Sequence, residues 1–133
     1  MKFRFIFPVL VVATGILWMS CKKEDMRPPT LTLKTTSGYL FHDTVVSPGT
    51  FIRVGVIADE GADSLNLIYS EVAYDGANVD SLYSRYWVPN GQTHADHDFT
   101  FQVRNQVGSE RWTFNVNDND GRLVEKEIRI TVQ

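Results

Sequence analysis

Residues 111–132 read RWTFNVNDNDGRLVEKEIRITV, and this stretch decides the fold class. On both sides of the NDG at 119–121, apolar residues alternate with polar ones: Trp112, Phe114 and Val116 come before it, and Val124, Ile128, Ile130 and Val132 after it. Alternation with period two indicates half-buried strands, and Asn-Asp-Gly is typical of a tight hairpin because these residues tolerate positive φ. The stretch therefore predicts a β-hairpin.

The same alternation continues through the rest of the chain after residue 29. We expect further strands at residues 30–34, 38–46, 51–58, 65–74, 79–88 and 98–104, separated by turn residues. We find no segment of ten or more residues with helical periodicity. Seven or eight strands with turn signals every ~8–12 residues predict an all-β sandwich or barrel.

The end of the chain also resembles a known family. Residues 112–121 and 128–132 are similar to the last two strands of bacterial immunoglobulin-like domains, which include the polycystic-kidney-disease-type and cadherin-like sandwiches. The resemblance implies one immunoglobulin-like β-sandwich over residues 30–133. It implies a fold and not a function, because such sandwiches host many unrelated functions.

The first twenty residues have the character of a secretory leader. Lys2 and Arg4 precede an uncharged run at residues 5–19, which is shorter than the ~20 residues that span a bilayer. A positive start, a short apolar core and a small residue at the boundary, here Ser20, indicate a cleaved signal peptide. We therefore expect a signal peptide over residues 1–20.

Cys21, the only cysteine, follows this leader directly. Residues 17–21 (LWMSC) resemble the lipobox of bacterial lipoproteins, although Trp18 stands where Leu is common. The resemblance implies that Cys21 is lipidated and becomes the first residue of the mature chain, and acyl chains anchor a protein stably when two or more are present. Residues 21–29, which end in Pro28-Pro29, are expected to be the tether.

The residues after Cys21 bear on where the anchored domain lies. Residues 22–25 (KKED) resemble the surface-export signal of lipoproteins from the Bacteroidota; a solvated charged tether is the alternative. We expect a lipid anchor in the outer membrane with the domain at the cell surface, although the sequence leaves the side of the membrane open.

Charge and cysteine content exclude several classes of protein. The 133-residue chain has 13 basic and 16 acidic residues, and removal of residues 1–20 leaves 11 basic residues and a net charge of −5. Proteins that bind nucleic acid usually carry a basic patch, so we expect no such partner. A single cysteine allows neither an internal disulfide nor a cysteine-based zinc cluster.

Two acidic segments contain potential metal ligands. Residues 94–98 (HADHD) could supply a mixed nitrogen and oxygen site, but His94 and His97 would point to opposite faces of a strand. We expect a polar loop here that leads into a strand at Asp98. Asp118 and Asp120 are weak calcium candidates, because further acids would have to come from elsewhere, with Asp59, Glu60 and Asp63 as candidates. We expect neither a metal nor another cofactor.

The aromatic strand at residues 79–88 offers the best candidate ligand site. Tyr83, Tyr86 and Trp87 place aromatic rings on both faces of this strand, so at least one is expected outside the core. Exposed aromatic side chains can stack on sugar rings. The alternative is an edge strand whose aromatic residues cover the open side of the sandwich.

Catalytic motifs are absent from the sequence. It has no Gly-x-Ser-x-Gly, no His-Glu-x-x-His and no phosphate-binding glycine loop, so we expect no enzyme. The sequence predicts a non-catalytic accessory or interaction module, with an outer-membrane protein as partner. The alternatives are a glycan-binding module with a polysaccharide partner and a calcium-stabilised adhesion domain.

Overall fold

The computed structural model describes residues 25–133, which form an all-β sandwich of two sheets with no helix in that range. The strands are β1 (Thr30–Leu33), β2 (Thr44–Val46), β3 (Phe51–Asp59), β4 (Leu65–Tyr74), β5 (Ser81–Trp87), β6 (His94–Gln102), β7 (Gly108–Asp118) and β8 (Leu123–Val132). The predicted immunoglobulin-like fold of seven or eight strands is confirmed. The signal peptide and Cys21 lie outside the described residues.

The two sheets differ in size. One has the strand order β1-β3-β6, and the other has the order β2-β8-β7-β4-β5. Every pairing is antiparallel except that of β2 with β8, which is parallel. β5 and β6 are therefore edge strands, and their aromatic side chains meet across the open side of the sandwich.

The core forms because alternate residues of both sheets point inward. Trp112, Phe114 and Val116 are buried on β7, and the Trp112 ring stacks on Phe101 from the opposite sheet with centroids 3.6 Å apart. Full burial of one large apolar side chain stabilises a fold by about 1.5–3 kcal/mol. The hairpin predicted at 119–121 is present, and Gly121 has φ of 81° there.

Two predicted boundaries are wrong. Only Thr44–Val46 of the expected strand at 38–46 is a strand. The expected loop at 94–98 is the first half of β6, which pairs with β3 in unbroken register from His94 opposite Asp59 to Gln102 opposite Phe51. The polar residues His94, Asp96 and Asp98 occupy the outer face of this sheet, so their polarity does not interrupt the strand.

The strand order defines two ends of the sandwich. The end we call the tether end has the turns at residues 60–64, 88–93 and 119–122, together with the N-terminal segment 25–29. The far end has the turns at residues 47–50, 75–80 and 103–107. Within residues 25–133, no helix is long and apolar enough to cross a membrane.

Candidate functional site

The three aromatic residues proposed as a ligand site lie on two different faces. The ring of Tyr83 contacts Trp112 with centroids 4.8 Å apart, and Tyr86 stacks on His97 of the opposite sheet at 4.5 Å. Both tyrosines cover the open side between β5 and β6. Trp87 pairs with Leu67 on the outer face of the five-stranded sheet and is 63% exposed. The structure does not bring the three rings together.

A bulge in β5 explains this division. Ser84 pairs with Ser70 and Leu82 pairs with Glu71, so Tyr83 is the extra residue between them. An extra residue resets the alternation of a strand, which places Tyr83 and Tyr86 on the inner side, although Tyr83 at this edge is still 47% exposed. Trp87 alone of the three remains available to a ligand on the outer face.

The outer face of the three-stranded sheet carries a polar cluster around Asp98. The carboxylate of Asp98 accepts hydrogen bonds from Lys34 Nζ and Tyr39 Oη, each at 2.9 Å, and from the guanidinium of Arg53. Burial alone would raise the pKa of Asp98, but these three donors together lower it to about 2. Gly55 makes room for the cluster, because a Cβ atom there would collide with the side chains of Lys34 and Tyr39.

The other members of the 94–98 segment have separate partners. His94 Nδ1 lies 2.7 Å from Asp59 Oδ1, and Asp96 binds Lys34. The ring of His97 lies on the inner face, where burial lowers its pKa. The two histidines therefore point to opposite faces, as the alternation of a strand predicts. Within residues 25–133, no group of three or more His, Cys, Asp or Glu side chains is placed to hold a metal ion.

The two weak calcium candidates bind an arginine of their own turn. Asp118 is fully buried; its carboxylate accepts hydrogen bonds from the Arg122 backbone N–H at 2.8 Å and from Arg122 Nη1 at 3.0 Å. Asp120 Oδ2 lies 2.8 Å from Arg122 Nη2. Arg122 thus occupies the position at which a cation would neutralise these carboxylates.

Glu110, at the other end of β7, is a buried carboxylate that the sequence did not single out. Its Oε2 atom accepts a hydrogen bond from Trp112 Nε1 at 2.8 Å, and its Oε1 atom accepts one from the Arg104 backbone N–H at 2.8 Å. The Arg104 side chain lies 3.4 Å from the same oxygen. Burial of a carboxylate is tolerated only with such partners, so this group fixes the loop at residues 103–107 to the core.

Arg104 links Glu110 to the turn at residues 75–80. Its two terminal nitrogens donate to the carboxylate of Asp75 at 2.8 and 2.9 Å, and its guanidinium lies 4.3 Å from the ring centroid of Tyr74. The Arg104 pair and a hydrogen bond from the Ser109 backbone N–H lower the pKa of Asp75 to about 2. The whole group forms a closed network of charges at the far end.

A cavity of about 320 Å³ opens beside this turn, on the outer face of the five-stranded sheet. Its lining combines small residues with three charged ones, Glu110, Arg111 and Arg129. Arg111 already binds Asp80 at 2.7 Å, and Arg129 binds Glu127 at 2.7 Å. These ion pairs neutralise the two cations that an anionic ligand would need.

Residues 25–29 pack against the tether end, although the sequence predicts a tether there. The backbone carbonyl of Arg27 accepts a hydrogen bond from Ala62 N–H at 2.9 Å, and Pro29 is buried. A Cβ atom at Gly61 would collide with the carbonyl oxygens of both Arg27 and Pro28. Only glycine lets this segment approach the turn at residues 60–64 so closely.

Comparisons with known proteins agree with the fold. No protein-family model matches the chain, and no curated protein matches it either. Two solved structures of superoxide reductase (neelaredoxin) from Ignicoccus hospitalis, one of them a single-residue variant, are each 18% identical to it. Their TM-scores are 0.53 and 0.50. The matches include 81% and 79% of this chain, and 83% and 80% of the superoxide reductase chains. A CARDB domain from Pyrococcus furiosus, solved with di-metal ions, is 15% identical with a TM-score of 0.48 and matches 80% of this chain and 96% of its own. At these identities the superoxide reductase structures support a shared β-sandwich fold and nothing about activity.

Proposed function

We propose that this chain is a non-catalytic lipoprotein of a bacterial outer membrane, anchored through lipid on Cys21. Its immunoglobulin-like sandwich acts as an accessory or interaction module. The observation that carries the proposal is the position of Cys21, which directly follows a leader-like segment and lies four residues before Asp25, a residue in contact with the sandwich. A lipid on Cys21 would therefore hold the folded domain at a membrane with no spanning helix.

The side-chain chemistry of the described residues is consistent with a binding role. Several groups that could act as acids, bases or ligands are paired with each other: His94 with Asp59, Asp98 with Lys34, and Asp118 with Arg122. These pairs connect strands and turns, which favours a scaffold whose surfaces are presented to partners.

The tether residues 22–25 support a position at the cell surface, on the resemblance of KKED to the export signal of Bacteroidota lipoproteins. Asp25 also binds Arg27, with the two side chains 2.7 Å apart. The charged tether thus continues directly into the packed segment.

The anchor is tested by changing Cys21 to Ser in the full chain and expressing it in a Gram-negative host that processes lipoproteins. We expect the protein to move from the outer-membrane fraction to the soluble fraction, because no acyl chain can then be attached. Ser20→Ala is the matched control, since it keeps a small residue before Cys21, and it should stay in the membrane. Unchanged fractionation of Cys21→Ser would refute the proposal.

The module role is tested by cross-linking in intact cells, followed by purification of this chain and identification of what accompanies it. An outer-membrane protein recovered in stoichiometric amount would support an accessory subunit. Recovery of the chain alone would overturn that role in favour of a free-standing binding module. The first side chain to examine for glycan binding would then be Trp87, which is exposed on the outer face beside Leu67.

A further inference from the structure

The N-terminal segment is fixed to one end of the sandwich by several independent contacts. The Arg27 carbonyl binds Ala62 N–H, Arg122 Nη2 donates to the Asp25 carbonyl at 3.4 Å, and the same nitrogen lies 3.8 Å from the sulfur of Met26. These contacts reach the turns at residues 60–64 and 119–122. Asp25, the first residue that the structure describes, therefore lies at the tether end.

Very little chain separates Asp25 from Cys21. Four residue steps connect Cys21 to Asp25, and a fully extended chain spans at most ~3.3–3.6 Å per residue, or about 14 Å in all. A lipid on Cys21 would thus hold the tether end within about 14 Å of the bilayer. Such a tether keeps the tether end next to the membrane.

The tether end exposes apolar side chains in addition to the charged residues around Asp25. Met26 is 66% exposed, Trp87 63% and Leu123 49%. The last two belong to one row across the outer face of the five-stranded sheet: Trp87 pairs with Leu67, Leu67 with Asn117, and Asn117 with Leu123. With strands ~4.8 Å apart, the row is about 14 Å wide.

Exposure alone does not select this end, because the far end exposes Phe51 and Val107 as well. What distinguishes the tether end is the anchor together with a tryptophan. Tryptophan is enriched at membrane–water interfaces, where its apolar ring contacts acyl chains and its N–H stays hydrated.

The charges of the tether end are only partly balanced within the protein. Asp25 binds Arg27, and Asp120 of the turn at 119–122 binds Arg122. Among the described residues of this end, the turn at 60–64 adds further negative charge, and no cluster of lysine or arginine stands out to attract anionic lipid. The chemistry of this end therefore fits apolar contact with a neutral lipid surface better than electrostatic binding.

We infer that the row from Trp87 to Leu123, with Met26 beside it, contacts the lipid interface of the membrane that carries the anchor. This inference rests on the proposed lipidation of Cys21. It fixes the orientation of the domain: the far end, with the turns at 47–50, 75–80 and 103–107, is directed away from the bilayer and towards partners.

The test uses the mature chain, purified from membranes and reconstituted into phosphatidylcholine vesicles with brominated acyl chains. Removal of Trp18 with the leader leaves two tryptophans, Trp87 and Trp112, and Trp112 is 1% exposed in the core. Bromine quenches tryptophan only at close range, so we expect a marked loss of Trp87 emission relative to unbrominated vesicles. Trp87→Phe should abolish that loss.

A matched control moves the reporter to the other end. The double variant Trp87→Phe, Val107→Trp carries an exposed tryptophan at the far end, and its emission should be the same in brominated and unbrominated vesicles.

Two results would overturn the inference and leave the anchor intact: vesicle-bound protein with unquenched Trp87, or equal quenching of the tryptophan introduced at position 107 in the control. Quenching that appears only after addition of phosphatidylglycerol would also overturn it, because binding would then be electrostatic. Failure of the unmodified chain to fractionate with membranes would instead overturn the lipoprotein proposal.

Discussion

Each end of β7 has a buried carboxylate, and the two carboxylates have different sets of partners. Glu110 at the far end and Asp118 at the tether end both have fully buried side chains, and both bind an arginine of a neighbouring turn that is about one-fifth exposed. Asp118 finds its partner four residues away, in the hairpin that it closes. Glu110 is held by Trp112 in the core and by Arg104, which in turn binds Asp75 in the turn that follows β4.

The difference lies in how much structure each carboxylate joins. The hydrogen bonds to the Asp118 carboxylate come from Arg122 in the same turn, and the backbone N–H of Arg122 would donate to it whatever side chain stood at that position. The Arg122 side chain reaches beyond this turn only by long contacts, at 3.4 Å to the Asp25 carbonyl and 3.8 Å to the Met26 sulfur. The contacts of Glu110 connect the core, the loop at residues 103–107 and the turn at 75–80. Because Glu110 is the acceptor for two N–H donors and its partner Arg104 also joins the turn at residues 75–80, the non-local network is expected to matter more for stability.

Glu110→Ala is the strongest test of that comparison. The substitution leaves Trp112 Nε1 and the Arg104 backbone N–H without acceptors and removes the buried partner of the Arg104 side chain. We expect a loss of about 3–5 kcal/mol in the free energy of unfolding, measured by urea denaturation, because two donors lose their acceptor at about 1–3 kcal/mol each and the packing of the side chain is lost as well.

Glu110→Gln is the matched control for this variant. It keeps an oxygen for the Arg104 N–H but loses the charge, so its cost should be intermediate. A cost of Glu110→Ala below about 1 kcal/mol, the range of ordinary surface substitutions, would show that the two ends of β7 do not differ as proposed.

Arg122→Ala probes the local end and should cost less. It removes the ion pair to Asp118 and the contacts with Asp120, the Asp25 carbonyl and the Met26 sulfur, but it preserves the backbone N–H that donates to Asp118 Oδ1. We expect a loss of about 1–3 kcal/mol in urea denaturation, the scale of one hydrogen bond to a charged group, because Asp118 keeps this backbone donor and truncation of the partly exposed Arg122 side chain opens its carboxylate to water. Arg122→Lys should recover part of this loss. A cost equal to that of Glu110→Ala would contradict the distinction between local and non-local networks.

The sequence predicted the strands well because the alternation of apolar residues is a local signal. Trp112, Phe114 and Val116 face inward as expected, and Gly121 forms the hairpin turn. The same parity would place Glu110 inward, but the predicted strand started at Arg111 and did not include it. The loop wrongly predicted at residues 94–98 reflects the opposite problem, since polar side chains on an outer face look like a loop when the pairing strand is unknown.

The candidate site was predicted less well, for two physical reasons. The bulge at Tyr83 depends on which residues of β4 lie opposite β5, and no residue type in β5 by itself indicates a bulge. The packing of residues 25–29 depends on Gly61, whose missing Cβ makes room for the carbonyls of Arg27 and Pro28. Composition and spacing do not encode either relation between distant segments.

Asp75 is the outermost member of the Glu110 network. Its substitution is expected to cause the smallest loss of stability and to change how stability depends on pH. The pKa of Asp75 is lowered to about 2 by Arg104 and the Ser109 backbone N–H, whereas the pKa of an aspartate in an unfolded chain is about 3.9. A carboxyl with a lowered pKa in the folded state contributes stability above its unfolded pKa, and that contribution is lost as the pH falls through the folded value. The contribution of Asp75 should therefore disappear between about pH 4 and pH 2.

Asp75→Asn removes this titration with little change in backbone. Asp75 has φ of 52°, in the left-handed region that asparagine tolerates well among residues other than glycine. We expect the variant to be less stable than the natural chain at pH 6 and the two unfolding free energies to converge as the pH approaches 2. Because Asp98 has a similarly lowered pKa, the variant should keep a residual acid dependence that Asp98→Asn removes. Stability curves that stay parallel from pH 6 to pH 2 would contradict the Arg104 pairing, since an aspartate with no special partner titrates alike in both states and gives no such convergence.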